Sequence, residues 1–581
     1  MSFENSRRLT GPNLYFTEPG AVLETVGHGA DDARVICAWR ANVAHMRSAL
    51  GWPDAPSCAR PHHGGMALAF AAPLDQLFSA TEVNEWAWMA ARGEAELFAP
   101  GHPHGGDADS ALAMLRRHAA AERRPDLLAL IIAANARKVP VLLDDDALSL
   151  GFGHGGHTWP MHDLPSIEEV PWPTLHAIPI ALVTGSNGKT TSVRLLAAML
   201  KAHGLRTGFS CTDGVFFEGL RLETGDYSGP AGARAVLRHG EVEAAVLETA
   251  RGGLLRRGLA IAHADAALVT NISDDHFGEY GIDDLDGLSA TKLIVARALD
   301  ANGALVLNAD DAQLREHAQR LACRLAWFSL DDDHALLRAH RSGGGATCGM
   351  RDGHLWLERE WRRFDLGTVE AMPLTAQGRA LYNISNIAGA ALLADALGVS
   401  STTIGEVLAR FGRDRHDNPG RLEQWQFGGI HVLMDYAHNP EGLRGLLAIA
   451  QGMGGRGRLG LILGQAGNRE EAEIRALAAV AASFAPDLVV LKDLETYMRG
   501  RAHGEVAGLL RNELLAQGLL ADRLPMQASE SAAARHALGW ARPGDLLVLP
   551  VHGLKAKSDV GGLLDRLEAE GWQAGQPVPA T

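Results

Sequence analysis

Residues 181–191, ALVTGSNGKTT, constrain this chain more than any other part of its sequence. The apolar run 178–183 predicts a buried strand, and apolar residues at helical spacing follow between 193 and 200. Between strand and helix, glycines let backbone N–H groups approach an anion closely, and Lys189 adds a positive charge for the outer phosphates. The hydroxyl of Thr190 is suited to binding magnesium. The sequence therefore predicts a phosphate-binding loop in a protein that uses a nucleotide.

Composition limits the classes to which the chain can belong. At 581 residues it is too long for one hydrophobic core, and its net charge of −15 with no basic block argues against a nucleic-acid partner. The five cysteines form no C-x-x-C pair, which favours neither a disulfide framework nor a zinc site. The polar first fourteen residues lack the apolar core of a signal peptide, and no apolar run reaches the length of a membrane span. We therefore expect a cytoplasmic protein of several domains without a membrane partner.

The pattern along the chain divides it into three regions, 1–166, 167–417 and 418–581. The first contains helical patterns at 111–121 and 127–137. The second alternates strands and helices around the phosphate-binding loop, and Gly-rich residues 342–345 predict a turn within it. Apolar strands in the third region are predicted at 432–434, 461–463, 488–491 and 546–549. This alternation predicts an α/β fold with parallel sheets covered on both faces.

Two strands after the phosphate-binding loop end in polar residues. Glu248 closes the apolar run 244–247, and the run 267–270 is followed by NISDDH, residues 271–276. Because the carboxyl ends of parallel strands gather at one edge of a sheet, a carboxylate placed there beside a phosphate-binding loop is suited to binding magnesium. One such segment alone would be read as a solvated strand end. Two of them in order favour a metal site.

These segments belong to a longer ordered series of motifs. The series consists of GSNGKTT at 185–191, Glu248, residues 271–276, Lys292, LVLNADD at 305–311, YNISN at 382–386, PGR at 419–421 and DYAHNP at 435–440. In this order the motifs resemble those of the Mur ligases, a family of ATP-dependent amide-forming enzymes that includes peptidoglycan-peptide ligases and folylpolyglutamate synthetase. The resemblance implies a central P-loop domain at 167–417 and a C-terminal Rossmann-like domain at 418–581.

The resemblance also implies roles for individual residues. Binding of ATP is assigned to Gly185, Asn187, Gly188, Lys189, Thr190, Thr191, Asn308 at the adenine, Arg421 at the terminal phosphate and Asp435 at the ribose. Binding of Mg²⁺ is assigned to Thr190, Glu248 and His276. The catalytic set is Lys189, His276, Lys292, Arg421 and His438. Lys292 matches a lysine that many members carbamylate, whereas most helix lysines are only solvated surface.

Within the family, several segments resemble cyanophycin synthetase. They are CTDG at 211–214, GDYSGP at 225–230, LETARGGLLRRG at 247–258, DHFG at 275–278 and RLTGPNLYF at 8–16. Region 1–166 then corresponds to the α+β N-terminal domain of that enzyme, with a linker at its end. The chain departs from the pattern after Gly153, where an ATP-grasp domain is expected and only about thirty residues precede Gly185, too few for a catalytic domain. These residues, rich in glycine, histidine and proline, predict a flexible linker.

The resemblance implies an ADP-forming carboxylate–amine ligase that uses ATP and Mg²⁺, related to the half of cyanophycin synthetase that adds arginine to aspartate side chains. A carboxylate would be activated as an acyl phosphate and attacked by an amine after closure of the C-terminal domain onto the central one. Segments 464–470 and 493–505 are candidates for acceptor recognition. Two alternatives stay open: a ligase for another small peptide or γ-glutamyl-type substrate, and a non-catalytic regulatory subunit. A homo-oligomer is expected, and a separate ATP-grasp or cyanophycin synthetase enzyme is a further expected partner.

Overall fold

The computed structural model describes residues 3–29, 31–93, 102, 107–274, 277–453 and 457–579. The chain forms two compact units. The first comprises residues 1–349, 357–364 and 389–404, and the second comprises residues 350–356, 365–388 and 405–581. No helix among the described residues is long and apolar enough to span a bilayer. All five cysteines are free thiols.

The described residues in the N-terminal part of the first unit form two antiparallel sheets and four α-helices. Its elements are β1 (Phe3–Leu9), β2 (Gly20–Thr25), α1 (Asp32–Leu50), β3 (Ser57–His62), β4 (Gly65–Ala71), α2 (Leu77–Arg92), α3 (Ala108–Glu122), α4 (Pro125–Ala136), β5 (Val141–Leu143), β6 (Ala147–Leu150) and β7 (His157–Pro160). The strand order is β1-β2-β4-β3 in one sheet and β5-β6-β7 in the other. Helices α3 and α4 confirm the helical patterns in the sequence.

The segment between Gly153 and Gly185 is structured, so the prediction of a flexible linker is wrong. Strand β7 lies antiparallel to β6, with Leu148 opposite Trp159. Farther along, Val170 and Leu175 are buried in the same apolar cluster as residues of α4. The segment is rich in glycine, histidine and proline, which is typical of a linker. Its few apolar residues, which pack against the core, are therefore easy to miss in the sequence.

The middle of the chain alternates strands and helices. Its elements are β8 (Ile180–Thr184), α5 (Lys189–Ala202), β9 (Thr207–Cys211), β10 (Gly214–Phe217), β11 (Leu220–Thr224), α6 (Pro230–Leu237), β12 (Ala244–Glu248), α7 (Arg251–Arg257), β13 (Ala264–Val269), α8 (Leu285–Lys292), β14 (Leu299–Asn308), α9 (Ala312–Ala318), β15 (Arg324–Ser329), α10 (Ala335–Ser342), β16 (Thr347–Arg351), β17 (His354–Arg359), β18 (Arg362–Thr368), α11 (Leu381–Ala396) and α12 (Ser401–Leu408).

The main sheet of the first unit runs in the order β11-β10-β9-β12-β8-β13-β14-β15-β16. Strands β9 to β16 in this order pair in parallel, whereas β10 pairs antiparallel with both β9 and β11. Strands β8 and β12 are buried along their whole length, as expected for parallel strands covered on both faces. This order places β8 between β12 and β13, so the three chain segments predicted to bind phosphate and metal leave adjacent strands.

The second unit contains a six-stranded sheet in the order β19-β20-β24-β21-β22-β23. Its elements are β19 (Glu423–Phe427), β20 (Ile430–Asp435), α13 (Pro440–Gly452), β21 (Leu459–Leu463), α14 (Glu471–Ser483), β22 (Leu488–Lys492), α15 (Glu505–Ala516), β23 (Met526–Gln527), α16 (Glu530–Trp540), β24 (Leu546–Pro550) and α17 (Leu554–Ala569). All pairs are parallel except β19 with β20. Separate apolar clusters, one holding α13–α15 and the other α16 and α17, cover the sheet. The predicted covered parallel sheet is therefore confirmed, with one antiparallel edge strand added.

A buried carboxyl in the first unit predicts how stability changes with pH. The side chain of Asp395 is 6% exposed and lies 2.8 Å from the Nε of Arg359. Burial raises the pKa of Asp395 to about 6, although Arg359 opposes the rise. The ordinary pKa of an unfolded Asp is about 3.9, so the folded state binds the proton more tightly and stability falls as pH rises between the two values.

We therefore expect Asp395→Asn to raise the free energy of unfolding by about 1 to 3 kcal/mol at pH 8 and to change it little at pH 4. The neutral amide avoids the cost of a buried charge, and the half-exposed Arg359 stays solvated. Denaturant unfolding at both pH values measures the effect, with Asp163→Asn at an exposed position as the control. An equal shift at both pH values would contradict the assignment.

Candidate functional site

The phosphate-binding loop lies between β8 and α5, where the sequence predicts it. Gly185 and Gly188 have φ angles of 143° and 83°. A Cβ atom on Gly185 would lie 1.8 Å from the Oγ1 of Thr270, so only glycine fits this turn. The Nζ of Lys189 donates to the carbonyl oxygens of Gly185 and Ser186, both at 3.0 Å. The ammonium group is therefore held over the loop that would receive the phosphates.

The segment after β13 forms hydrogen bonds to the phosphate-binding loop. The backbone N–H of Asn187 donates to Asn271 Oδ1 at 2.9 Å, and the hydroxyl of Thr270 donates to the carbonyl of Asn187 at 2.6 Å. The side chains of Asn187 and Ser273 lie within hydrogen-bond distance, at 3.3 Å. The predicted ligand His276 and its neighbour Asp275 lie outside the described residues, so the position of His276 stays a prediction.

Glu248 accepts hydrogen bonds from two hydroxyl groups on neighbouring segments. Thr190 donates to its Oε2 at 2.8 Å, and Thr212, which follows β9, donates to its Oε1 at 2.9 Å. The residue is 1% exposed. Burial raises the pKa of the Glu248 carboxyl, while the Lys189 ammonium and the two hydroxyl donors oppose that rise. The structure thus brings together Lys189, Thr190 and Glu248, as predicted.

Thr212 was not among the predicted site residues. It lies in the CTDG motif, which the sequence marked only as a family resemblance. The signal that could have identified it is its position directly after β9, the strand beside β12. Behind it, the buried guanidinium of Arg194 lies 3.5 Å from Asp213 and 4.6 Å from the ring centroid of Phe216.

Lys292 and Asn308 occupy defined positions in the first unit. Lys292 is the last residue of α8 and is only 2% exposed, so the surface-lysine interpretation is wrong for it. Asn308 ends β14, donates its side-chain amide to the carbonyl of Thr270 at 3.1 Å, and accepts from the backbone of Asp310 at 2.9 Å. Asn308 therefore ties the ends of β13 and β14 together beside the phosphate-binding loop.

The second unit contains the other predicted residues. Asp435 ends β20 and accepts from the backbone N–H groups of Leu422 at 2.7 Å and Ala437 at 2.8 Å. Burial raises the pKa of Asp435, with Arg421 opposing the rise. The Arg421 guanidinium lies 4.2 Å from the ring centroid of Tyr436, and the His438 ring lies 5.3 Å from it. Arg421, Asp435 and His438 are thus brought together around Tyr436.

A buried polar cluster that the sequence did not predict lies at the same edge of this sheet. Lys492 donates to Glu530, to the carbonyl of Pro550 at 2.6 Å and to His552 Nδ1 at 3.4 Å. Burial would raise the pKa of Glu530, but the Lys492 ammonium holds it well below its usual range. Burial and Lys492 lower the pKa of His552. A neutral His552 that accepts at Nδ1 donates its Nε2 hydrogen to the carbonyl of Ala437, 3.2 Å away.

The two segments proposed for acceptor recognition contact each other. Arg501 Nε donates to the carbonyl of Gly467 at 3.0 Å, and the backbone N–H of Gly467 donates to the carbonyl of Tyr497 at 2.8 Å. Asp493, directly after β22, accepts from the backbone of Gly504 at 2.9 Å through Oδ2. Its buried Oδ1 has no hydrogen-bond partner among the described residues.

Two family models match the chain. The Mur ligase middle domain matches residues 183–394, and the Mur ligase glutamate ligase domain matches residues 420–550. The cyanophycin synthetase of Trichormus variabilis is 36% identical over 333 residues, which make up 57% of this chain and 37% of that protein. The chain therefore covers less than two fifths of that relative's length.

Another relative is named as a ligase of a different kind. The UDP-N-acetylmuramoyl-L-alanyl-D-glutamate--2,6-diaminopimelate ligase of Xanthomonas campestris pv. campestris is 28% identical over 66% of this chain and 73% of that protein. The solved structure of E. coli FolC in complex with ADP is 19% identical, with a TM-score of 0.50, and covers 67% of this chain and 90% of that one. This last similarity concerns the fold. Because two successive family models match in the order that the motifs predict, the chain belongs to the Mur ligase family.

Proposed function

We propose that this protein is an ADP-forming ligase that joins a carboxylate to an amine at the expense of ATP. The observation that carries the proposal is the cluster of Lys189, Thr190 and Glu248 at the carboxyl end of a parallel sheet. A phosphate-binding loop beside a buried carboxylate is suited to phosphoryl transfer, and the family's glutamate ligase domain supports a carboxylate as the acceptor. The carboxylate oxygen attacks the terminal phosphorus of ATP, which releases ADP and leaves an acyl phosphate. The amine then attacks the acyl carbon and phosphate leaves.

The residues around Glu248 fit a magnesium ion. Hard divalent cations prefer oxygen ligands, and the carboxylate of Glu248 together with the hydroxyl of Thr190 supplies them. His276 would complete the predicted set. When bound, the ion neutralises charge on the transferring phosphoryl group. Lys189 would hold the outer phosphates, and Thr212 would keep Glu248 oriented by its hydrogen bond.

In the second unit, Arg421 would bind the terminal phosphate, and Asp435 would bind the ribose. Both backbone N–H donors to Asp435 fix its orientation. The attacking amine must lose a proton, because a charged ammonium is not a nucleophile. His438 is our candidate for receiving that proton, and the hydrogen bond of Gln465 Nε2 to its carbonyl at 2.8 Å holds its backbone.

We further propose a cationic amino acid as the amine substrate, as in the arginine-adding half of cyanophycin synthetase. The buried Oδ1 of Asp493 supports this, because a carboxylate oxygen without a donor is suited to an ammonium or guanidinium group. The carboxylate substrate would be an aspartate-containing peptide or a related small acid.

The decisive experiment is an assay of ADP formation over a matrix of carboxylates and amines, followed by mass analysis of each product. We expect ADP release that depends on both substrates, with a product mass equal to their sum minus water. Titration with a non-hydrolysable ATP analogue should saturate at about one nucleotide per chain, because a single phosphate-binding loop is evident in the sequence. ATP hydrolysis without any new amide would refute the proposal.

Removing the Arg421 side chain is expected to lower the turnover rate more than it lowers the affinity for the nucleotide. We predict that Arg421→Ala lowers kcat by about a hundredfold while the Kd for an ATP analogue changes less than fivefold, because the charge that it neutralises develops during phosphoryl transfer. Steady-state kinetics and calorimetry measure the two quantities. Lys555→Ala, at an exposed position in the same unit, is the control. Equal losses in affinity and rate would contradict this role.

A further inference from the structure

The N-terminal sheet β1–β4 contacts the two chain segments that leave the predicted metal site. One is α7, which begins three residues after Glu248. The other is the loop 277–284, which follows His276 in sequence and leads into α8, the helix that ends at Lys292. We propose that the N-terminal sheet is a positioning element for the magnesium-binding segments of this ligase. This inference rests on the proposed function.

The contacts with the loop 277–284 involve both strand ends and side chains. Arg60, on β3, donates from Nη1 to the carbonyl of Gly281 at 2.7 Å. The backbone N–H of His63 donates to Asp283 Oδ2 at 2.7 Å. Gly281 has a φ angle of 65°, and a Cβ atom there would lie 2.4 Å from the ring of His62. The loop is therefore packed against the sheet at a position that admits only glycine.

Arg7, on β1, joins the two segments through a single buried side chain. Its Nε donates to the carbonyl of Leu255 on α7 at 2.9 Å, and its guanidinium lies 4.5 Å from the ring centroid of Tyr280. Its Nη2 donates to Glu24 at 2.7 Å, and both side chains of this pair are 7% exposed. Because Glu24 belongs to β2, the charge that orients Arg7 comes from the N-terminal sheet itself.

The backbone after β1 also pairs with the end of α7. Thr10 donates to the carbonyl of Arg257 at 2.8 Å, and Leu259 donates to the carbonyl of Pro12 at 2.8 Å. A Cβ atom on Gly258 would lie 2.5 Å from that same carbonyl oxygen. Moreover, Arg251 at the start of α7 pairs with Glu279 in the loop. Both segments are thus fixed to one sheet and to each other.

This arrangement has a chemical consequence for metal binding. A divalent cation demands ligands at defined distances, and magnesium tolerates little deviation from octahedral geometry. Glu248 precedes α7 and His276 precedes the loop 277–284 in sequence, and the sheet holds α7 and this loop at a fixed separation. Loosening the loop should weaken magnesium binding more than it weakens contacts of the phosphate-binding loop with ATP.

Two pairs of variants separate positioning from general stability. Arg60→Ala removes the donor to Gly281, and Arg60→Lys keeps one donor. Asp283→Ala removes the acceptor for His63, and Asp283→Asn keeps an amide oxygen in its place. Asp283 is exposed, so its variants should fold. Arg34→Ala, at an exposed position on α1, is the control.

We expect Arg60→Ala and Asp283→Ala to raise the Mg²⁺ concentration for half-maximal activity about fivefold to tenfold, with KM for ATP at saturating Mg²⁺ within twofold of the parent. Amides in residues 277–292 should exchange hydrogen at least fivefold faster, measured without substrates. Arg60→Lys and Asp283→Asn should restore most of both values. An unchanged Mg²⁺ dependence in both alanine variants would overturn the inference, whatever the exchange shows.

A failure of the proposed function has a different signature. If the parent protein joins no carboxylate to any amine, the Mg²⁺ dependence is read instead from binding of a non-hydrolysable ATP analogue. A fivefold higher Mg²⁺ concentration for half-maximal binding of the analogue in the alanine variants would still support positioning by the sheet. The same dependence in all variants would overturn it.

Discussion

Lys189→Ala should lower the rate of ATP-dependent amide formation by about a thousandfold, which corresponds to about 4 kcal/mol of transition-state stabilisation. The ammonium group lies over the phosphate-binding loop, 3.0 Å from two of its carbonyl oxygens. It is therefore the side chain best placed to stabilise the negative charge that develops on the terminal phosphate. The measurement is ADP release with both substrates present, together with mass analysis of the amide.

A matched control for this variant lies on the same helix. Lys201 is near the end of α5, is half exposed and pairs with Glu218. Lys201→Ala should keep activity within about twofold, because exposed ion pairs contribute little. If Lys189→Ala and Lys201→Ala turned over equally fast, the segment 185–191 would not be the phosphate site.

Glu248→Gln should reduce turnover by about a hundredfold to a thousandfold and raise the Mg²⁺ concentration needed for half-maximal activity. The amide keeps the shape of the carboxylate, and its single oxygen accepts from one of the two threonine hydroxyls while the other hydroxyl turns to accept from the amide nitrogen. What it loses is the negative charge that a divalent cation requires. Kinetics over a series of Mg²⁺ concentrations, with melting temperature as a check on folding, measure the effect.

Thr212→Val is a milder variant at the same site, to be compared with Glu248→Gln. It removes one hydroxyl donor from Glu248 while the carboxylate stays, so we expect a loss of about tenfold or less, in line with a single hydrogen bond. A Glu248→Gln enzyme with the parental Mg²⁺ response would place the metal site elsewhere. A Thr212→Val variant as impaired as Glu248→Gln would make Thr212 a direct ligand instead of a supporting residue.

The α/β architecture and the phosphate-binding loop could be predicted from sequence because both depend on local patterns. Buried parallel strands are short apolar runs, and glycines before Lys189 mark the turn between strand and helix. Glu248 could be predicted because it ends such a run. The cluster of Arg421 and Asp435 was predicted through motifs alone, since nothing local to Arg421 shows that it contacts Tyr436, the residue after Asp435.

Other features depend on contacts between distant residues and leave no local pattern. Lys492, Glu530 and His552 lie far apart in sequence and meet only because β22 and β24 end, and α16 begins, at one sheet edge. The burial of Lys292 likewise depends on what packs over α8. The ordered segment after Gly153 escaped prediction because its composition is typical of linkers, while two buried apolar residues suffice to anchor it.

The buried contact of Arg7 with Leu255 joins residues that are 248 positions apart, so it also sets an order of events during synthesis. A ribosome adds roughly 5–20 residues per second, so roughly 10 to 50 seconds pass between the synthesis of Arg7 and that of Leu255. During that interval Arg7 and Glu24 must stay hydrated or be shielded by a chaperone. Slower translation between codons 9 and 255 lengthens the exposure of an incomplete sheet, and the yield of folded protein should depend on the speed at which that stretch of message is read.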